Sequence, residues 1–178
     1  DEGPRANSSL ASLAKLRPSF GSDGTATAGN ASQISDGAAA VVVASAAVAE
    51  RVKSSVKARI VATATYAGEP KDLFTAPIGA IDAVLARARL RVSDIDLFEL
   101  NEAFAAQCVA CVRPLEIETG KLNINGGAIA LGHPIGASGA RILVTLLHAL
   151  AWRKLRYGLA ALCLGGGESV AMVVEREE

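Results

Sequence analysis

From residue 57 onward, segments with strand-like spacing alternate with segments with helix-like spacing, and this order is the strongest constraint on the fold of the 178-residue chain. Lys57–Tyr66 alternates and is rich in β-branched residues, as in a strand, whereas Pro77–Leu90 repeats apolar residues every three or four positions, as in a helix. The other predicted elements are strand Ile95–Leu100, helix Glu102–Leu115, strand Lys121–Asn125, helix Gly136–Arg153, and strands Leu159–Leu164 and Val170–Glu175. The order β-α-β-α-β-α-β-β predicts an α/β layered domain in which helices cover a mixed sheet.

The first 56 residues lack this pattern. Residues 1–29 are polar and rich in Ser, Gly and Pro, and they do not read as the start of a domain. The elements predicted before residue 57 are a short helix at Ser8–Leu16 capped by Ser8 or Ser9, a loop at Phe20–Ser35, a buried strand at Val41–Val43 and a helix from about Ser45 to Lys53. We expect this part to have no core of its own and to pack on another segment, as the rear part of a longer chain would.

Charge and composition argue against several classes of protein. Lysine plus arginine number 18 and aspartate plus glutamate number 18, which disfavours nucleic acid as the main partner because phosphate binding needs a basic excess. The longest apolar run, Gly37–Ala49, is too short to span a membrane, so no membrane partner is expected. Three cysteines, an odd and small number, favour a reducing compartment without a disulfide framework, and we expect a cytoplasmic protein.

The segment Asn125–Arg141 carries one of the two histidines of the chain between glycines. Glycine lets the backbone approach a ligand closely, and Pro134 fits the first position of a helix, so His133 is expected at a helix entrance. The positive end of the helix dipole favours the neutral imidazole, which is the form that can take a proton. A lone loop histidine is more often structural, but this context favours a general base that needs a partner to act on.

Two further motifs follow predicted strands, namely Asn101-Glu102-Ala103-Phe104-Ala105 and Cys163-Leu164-Gly165-Gly166-Gly167. Polar residues at strand ends are where open α/β sheets place ligands, and the three glycines predict a hairpin between the last two strands. Asn101 alone could simply cap the following helix, and Cys163 alone could be a small buried residue. Cys108 and Cys111 share one face of a predicted helix and are interpreted as buried cysteines rather than a redox pair.

Together and in this order, the three motifs resemble those of the thiolase family, and Asn30-Ala31-Ser32 and Asp36-Gly37-Ala38-Ala39-Ala40 are also similar to it. The resemblance runs from Asp1 almost to the C-terminus. It implies a thiolase-like fold with a C-terminal domain at residues 57–178, a closing piece of an incomplete N-terminal domain at residues 35–56, and a remnant of the CoA-binding loop domain at residues 1–34.

The resemblance also implies roles for four residues of the site. His133 would activate a nucleophilic cysteine, and Cys163 would be the second acid/base, moving a proton at the α-carbon of acetyl-CoA. Asn101 would hold a water that lines one oxyanion pocket together with His133, and the backbone N–H of Gly165 would contribute to a second pocket. These roles meet the needs of thioester chemistry, which requires a nucleophile, an acid/base and stabilised oxyanions.

By the same resemblance, Ser32 would lie beside the pantetheine chain of CoA, and Arg5 and Ser12 would meet its adenosine end. Ser32 could equally be plain turn chemistry. Coenzyme A and acetyl-CoA would be substrates, and neither a permanently bound cofactor nor a metal is implied. Besides acyl-CoA, the implied partners are the N-terminal half of the subunit and further copies of it in a homodimer or homotetramer.

The nucleophilic cysteine of the family lies in its N-terminal half, and neither Cys108 nor Cys111 can replace it, because both fall inside a predicted helix. The chain thus resembles the part of an acyltransferase that supplies the base and not the nucleophile. The implied reaction is the reversible condensation of two acetyl-CoA to acetoacetyl-CoA and CoA, as in an acetyl-CoA C-acetyltransferase. A 3-ketoacyl-CoA thiolase of fatty-acid β-oxidation is the alternative enzyme, and a noncatalytic CoA-binding or assembly subunit is the alternative of another class.

Two positions depart from the family pattern. Glu168-Ser169 follow the triple glycine where the family commonly has a further glycine, which brings a carboxylate close to Cys163 along the sequence. Leu73-Phe74 stand where many members carry Met-Gly beside the acyl pocket. A bulky Phe74 favours a short acyl group, and therefore acetoacetyl-CoA over long-chain substrates.

Overall fold

The computed structural model describes residues 3–177, and within this range one mixed sheet of four strands is covered by helices. The strands are β1 Ala58–Ala67, β2 Leu97–Leu100, β3 Tyr157–Cys163 and β4 Glu168–Arg176. The helices are α1 Leu10–Leu13, α2 Ala46–Ala49, α3 Ala76–Ala88, α4 Ala105–Val112, α5 Ala128–Leu131 and α6 Ser138–Arg153. Short 3₁₀ turns occupy Pro70–Asp72, Val92–Asp94, Thr119–Lys121 and Gly165–Gly167.

The strand order across the sheet is β1-β4-β3-β2. β4 runs antiparallel to both β1 and β3, whereas β2 runs parallel to β3, with Leu100 opposite Ala161. The expected α/β layered domain with a mixed sheet is therefore confirmed. The hairpin across Gly165–Gly167 is confirmed as well, because β3 and β4 pair on either side of it.

Each face of the sheet has its own apolar core. On one face α3 and α4 pack against β2, β3 and β4 through buried residues that include Ile81, Val84, Phe98, Cys111 and Leu159. On the other face α6 packs through Ile142, Leu146 and Leu150 against Leu97, Ala160 and Val174. Gly158 permits this close approach, because a Cβ at that position would lie 2.8 Å from side-chain atoms of both Leu146 and Leu150.

The predicted strand at Lys121–Asn125 is wrong. Thr119–Lys121 is a 3₁₀ turn, and Leu122 makes a single parallel bridge with Phe98. The extended chain stops at Asn123, whose φ of 45° is left-handed. The buried Asn123 side chain replaces strand pairing, since its Oδ1 accepts from the Leu100 N–H at 2.9 Å and its Nδ2 donates to the Leu100 carbonyl at 2.8 Å.

The predicted strand at Val41–Val43 does not form in the described structure. No strand of the described structure pairs with this segment, and Val42 and Val43 are 95% and 76% exposed. The predicted helix near Ser45 is shorter than expected, because α2 ends at Ala49. Ser9 caps α1, which confirms one of the two predicted caps. The helix ends at Leu13 rather than at Leu16.

None of the described residues from 3 to 63 is buried, so the first part of the chain has no core of its own, as expected. Ala64 is the one buried residue of β1. In the same described range, no helix combines the length and the hydropathy needed to cross a membrane.

Hydrogen exchange of the isolated chain should show residues 3–56 opening first, because backbone with few buried contacts opens at low free energy cost. Amides of β3 and α6 should be the most protected, since both elements contribute fully buried residues. Peptide-resolved exchange mass spectrometry measures both regions in one sample. Equal protection of the two regions would contradict this boundary.

Replacing Asn123 by Ala should lower the free energy of unfolding by about 2 to 4 kcal/mol, because the buried Leu100 N–H and C=O lose their partners. Chemical denaturation monitored by circular dichroism gives this value. Asn125→Ala is the control, since Asn125 is exposed, and it should change stability by less than about 0.5 kcal/mol. Equal effects of the two substitutions would show that Asn123 is not a structural link.

Candidate active site

Asn101 stands directly after β2 and continues its pairing with β3. Its backbone N–H donates to the Ala161 carbonyl at 3.0 Å, and the residue is 1% exposed. The reading of Asn101 as a helix cap is wrong, because α4 begins at Ala105 with Phe104 in the N-cap position. The Asn101 amide instead faces His133, with 3.3 Å between Nδ2 and the imidazole Nε2.

The backbone around His133 is held by the N-terminal part of the chain. The His133 N–H donates to the Gln33 carbonyl at 2.9 Å, and His133 forms a parallel bridge with Ile34. The expected place of Pro134 at the first helical position is wrong, since α6 begins at Ser138. Pro134 opens a turn before the helix, and its carbonyl accepts from the N–H groups of Ala137 and Ser138 at 2.7 and 2.8 Å.

The contacts of Ser138 define the tautomer of His133. The buried Ser138 hydroxyl donates its one hydrogen to the Pro134 carbonyl at 3.0 Å. Its oxygen is therefore left to accept from the His133 Nδ1–H, at 2.6 Å. With the proton on Nδ1, the lone pair of Nε2 faces the Asn101 amide, so Nε2 is the atom that can act as a base.

Burial shifts the pKa values of the two proposed proton-transfer groups in opposite directions. Burial lowers the pKa of His133 below its ordinary value, and the positive charge of Arg141 lowers it further, so the ring is held neutral. The sequence predicted the neutral form from a helix dipole, but the structure identifies burial and Arg141 as its causes. Burial raises the pKa of Cys163, which therefore keeps its proton at neutral pH.

Cys163 is the last residue of β3, and β2 and β3 are parallel, so Cys163 and Asn101 lie at the same edge of the sheet. The loop after it closes through the Leu164 N–H, which donates to the Glu168 carbonyl at 2.8 Å. Gly167 has a φ of +92°, and a Cβ there would lie 2.7 Å from the Gly68 carbonyl oxygen. The neighbouring Gly165 is exposed and faces open space, where a ligand can reach its backbone.

Ser32 lies at this site, whereas Arg5 and Ser12 make no hydrogen bond to it in the described structure. The Ser32 N–H donates to the Ala103 carbonyl at 3.1 Å, which places Ser32 beside the loop that follows Asn101. Arg5 is exposed. The Ser12 hydroxyl is engaged in the capping box of α1, donating to the Ser9 carbonyl at 2.8 Å.

Sequence reasoning missed three polar residues that hold the site. Ser138 and Arg141 belong to the same glycine-rich segment as His133. Their position shortly after the histidine, at the start of the predicted helix, was the sequence signal that could have identified them. Glu102 links two loops, because its Oε1 accepts from Asn123 Nδ2 and its Oε2 from the Ile129 N–H, both at 3.2 Å. The motif after Asn101 contained Glu102 but gave no indication of these partners.

Three aromatic rings pack together in a cluster centred on Phe104, in the loop that follows Asn101. Phe104 makes edge-on contacts with Phe74 and Phe20, with ring centroids 5.3 and 6.1 Å apart. Cys111 is linked to this aromatic cluster, because its thiol donates to the Phe74 carbonyl at 3.2 Å. The prediction that Cys108 and Cys111 are buried is confirmed, and burial raises their pKa values to about 12 and about 11.

Within residues 3–177, no three His, Cys, Asp or Glu side chains come together in a way that could hold a metal ion. The chemistry available here is thus a neutral imidazole base, a protonated thiol, an amide donor and an open backbone loop. Such a set suits proton transfer around a carbonyl group whose oxygen becomes negatively charged.

Residues 54–176 match the thiolase C-terminal domain, and residues 1–47 match the thiolase N-terminal domain. Two Escherichia coli K12 proteins, a probable acetyl-CoA acetyltransferase and an acetyl-CoA acetyltransferase, are 51% and 52% identical over 100% and 99% of this chain. The chain covers only 45% of the length of each.

Solved structures show the same relationship. The crystal structure of the Bacillus anthracis acetyl-CoA acetyltransferase is 43% identical, with a TM-score of 0.95 over 99% of this chain and 45% of that chain. The crystal structure of human mitochondrial 3-ketoacyl-CoA thiolase is 38% identical, with a TM-score of 0.92 over 100% of this chain and 45% of that chain. Since the match to the thiolase C-terminal domain alone covers more than half of the sequence, this chain belongs to the thiolase family of acyltransferases.

Proposed function

We propose that the chain forms the C-terminal part of an acetyl-CoA C-acetyltransferase, which converts two acetyl-CoA to acetoacetyl-CoA and CoA, reversibly. The observation that carries the proposal is the His133 ring, held neutral with Nε2 facing the amide of Asn101. The relatives with acetyl-CoA acetyltransferase names support the same activity. The nucleophilic cysteine belongs to an N-terminal segment that this chain does not contain.

In the direction of thiolysis, His133 Nε2 takes the proton of the nucleophilic cysteine, and the thiolate attacks the keto carbon of acetoacetyl-CoA. The carbon–carbon bond breaks, leaving an acetyl-cysteine and the enolate of acetyl-CoA, and the Cys163 thiol protonates the enolate carbon. Cys163 then regains a proton from incoming CoA, whose thiolate attacks the acetyl-cysteine. The carbon–sulfur bond to the enzyme breaks, and the freed cysteine thiolate takes its proton back from His133.

The protonation states of both groups suit this sequence of steps. His133 is neutral and can accept a proton, whereas Cys163 is protonated and can donate one. Asn101 Nδ2 and the Gly165 N–H are the donors proposed for the two oxyanions, the first through a water molecule that His133 also contacts. Ser32 is proposed to contact pantetheine, because it lies next to the Asn101 loop. Arg5 and Ser12 are proposed for the adenosine end of CoA, with the exposed Arg5 side chain the stronger candidate.

The partner surface is proposed to lie on residues 1–56. The exposed Val41–Val43 segment would pair with strands of the N-terminal half, which would give this segment the sheet that it lacks here. We accordingly assign residues 1–34 to the CoA-binding loop domain, residues 35–56 to the N-terminal domain and residues 57–178 to the C-terminal domain. A homodimer or homotetramer in the cytoplasm completes the proposal, and the free thiols suit a reducing compartment.

A 3-ketoacyl-CoA thiolase of β-oxidation is the second candidate, favoured by the likeness to the human mitochondrial enzyme. The packed rings of Phe74 and Phe104 disfavour it, because two rings at the loop that follows Asn101 leave less room for a long acyl chain. Acyl length therefore separates the two enzymes.

Thiolysis of acetoacetyl-CoA should require this chain together with an N-terminal half, supplied by co-expressing that half of the Escherichia coli acetyl-CoA acetyltransferase. His133→Asn and Cys163→Ser should each lower kcat by about 10²- to 10⁴-fold, the range for loss of a general acid or base. The assay follows loss of the acetoacetyl-CoA absorbance. His148→Gln is the matched control, since His148 is exposed on α6, and it should keep full activity.

Two outcomes would contradict the proposal. Full activity of the His133 and Cys163 variants would remove both from the mechanism. A correctly assembled complex that binds CoA but shows no thiolysis would favour the noncatalytic CoA-binding subunit.

The active complex should prefer acetoacetyl-CoA over long-chain 3-ketoacyl-CoA in kcat/KM. Phe74→Ala should raise kcat/KM for long-chain 3-ketoacyl-CoA relative to that for acetoacetyl-CoA by about 10-fold or more. Removal of the ring opens space for one or more methylene groups. Trp152→Ala is the control, since Trp152 is 80% exposed on the far end of α6. A wild-type preference for long chains would instead establish the β-oxidation enzyme.

A further inference from the structure

Glu99 and Asn101 extend the face of the sheet that α6 covers. Side chains two residues apart on a strand point to the same face, and Leu97, which begins this row, packs against Ile142 and Leu146 of α6. Phe98 and Leu100 belong to the opposite core. Two polar side chains, Glu99 at 2% exposure and Asn101 at 1%, therefore lie buried under the N-terminal part of α6.

Arg141, in the first turns of α6, meets this row. Its Nη2 donates to Asn101 Oδ1 at 3.4 Å. Since the Oδ1 atom of the amide faces Arg141, the Nδ2 atom is the one turned to His133 Nε2. The contact with Arg141 thus selects one of the two orientations that a carboxamide can adopt, and it selects the one that places a donor against the lone pair of the base.

The remaining nitrogens of the guanidinium are also buried. Nε and Nη1 of Arg141 have no hydrogen-bond partner among the described residues, so its positive charge needs compensation from a nearby anion. The pKa of Glu99 is raised to about 7, because burial, with a smaller contribution from Glu102, outweighs the opposing charge of Arg141. Glu99 is the buried carboxylate whose charge Arg141 favours, while the carboxylate of Glu102 is engaged with Asn123 and Ile129.

We propose that Arg141 is the positioning residue of this site, with Glu99 as its buried counter-charge, and that it orients the Asn101 amide and keeps His133 neutral. The proposal builds on the roles proposed for Asn101 and His133. Without Arg141 the amide is free to rotate, and its oxygen then faces Nε2. Two acceptors in contact favour a protonated ring, so the base loses its free lone pair near neutral pH.

The proposal is tested by nuclear magnetic resonance titration of His133 in this chain, where His148→Gln identifies the second histidine. Arg141→Met should raise the pKa of His133 by about one pH unit, because a positive neighbour and the correct amide orientation are both lost. Arg153→Met, an exposed arginine at the end of the same helix, is the matched control and should leave the titration unchanged. An equally small change of the His133 pKa in Arg141→Met and Arg153→Met would overturn the inference.

Arg141→Lys separates charge from orientation, and it decides the question if Arg141→Met does not fold. Lysine keeps the positive charge but lacks the planar fork of the guanidinium. The pKa of His133 should then stay low, while the side-chain NH₂ signals of Asn101 shift and broaden. Unchanged Asn101 signals in a folded Arg141→Lys protein would overturn the positioning role.

The counter-charge is tested by stability against pH. In Arg141→Met, the carboxyl group of Glu99 keeps its raised pKa without the opposing effect of Arg141, so it binds a proton more tightly when folded than when unfolded. The stability of this variant should therefore fall further than that of the wild type as pH rises through the folded pKa of Glu99. The double variant Glu99→Gln/Arg141→Met should lose this pH dependence, and if it retained the dependence, Glu99 would be excluded as the counter-charge.

These titrations use neither substrate nor the N-terminal half. A failed thiolysis assay with a shifted His133 titration would overturn the proposed reaction and leave the arrangement of Arg141 intact. A successful thiolysis assay with an unshifted His133 titration would overturn the role proposed for Arg141 and leave the proposed reaction intact.

Discussion

The parallel pairing of β2 with β3 is the interaction on which the site depends. Parallel strands end at the same edge of a sheet, so Asn101 and Cys163, each at the end of its strand, are brought to one side of the domain. The pairing extends past β2, because the Asn101 N–H donates to the Ala161 carbonyl. Asn101 therefore has the rigidity of a strand residue although it stands in a loop, and its amide can be aimed at His133.

The other side of β2 is completed by side chains instead of a further strand. Asn123 makes the two hydrogen bonds to Leu100 that a neighbouring strand would make. Glu102 then joins Asn123 to the start of α5 through Ile129. Gly127 leaves no room for a side chain here, since a Cβ would lie 2.2 Å from the Glu102 carboxyl carbon. This polar link connects the Asn101 loop to the segment that leads into His133, and it ties the two loops of the candidate site together.

Sequence periodicity predicted the helices and strands whose formation depends on their own apolar pattern. It failed for strands that need a neighbouring strand to pair with. The helix Pro77–Leu90 and the strands of the hairpin were found near their predicted positions, because each has an apolar face that the sheet buries. Val41–Val43 was predicted as a strand from its β-branched residues, but a strand forms only against another strand, and the described chain offers none there. No strand forms at Lys121–Asn125 because the left-handed residue Asn123 ends the extended chain. Its side chain, rather than a further stretch of backbone, pairs with Leu100.

The residues of the candidate site could also be predicted only as far as local sequence pattern marks them. His133, Asn101 and Cys163 could be singled out because glycines and strand ends mark them along the sequence. Their tautomer, orientation and charge could not, since these depend on the contacts of Ser138 and Arg141, and Arg141 reaches Asn101 only once α6 docks on the sheet. His133 is neutral, as the sequence predicted, but burial and Arg141 cause this, and the helix start lies at Ser138 rather than at Pro134.

Burial disfavours the charged form of any titratable group, and this one cause suits the two residues proposed for proton transfer to opposite tasks. The charged form of His133 is the protonated one, so burial leaves a base; the charged form of Cys163 is the thiolate, so burial leaves an acid. Both residues are only half-buried in this chain. A segment that covers them would strengthen both shifts, and the exposed glycine loop beside Cys163 is where the structure leaves room for it. The segment proposed to carry the nucleophile could therefore supply this low-dielectric cover as well.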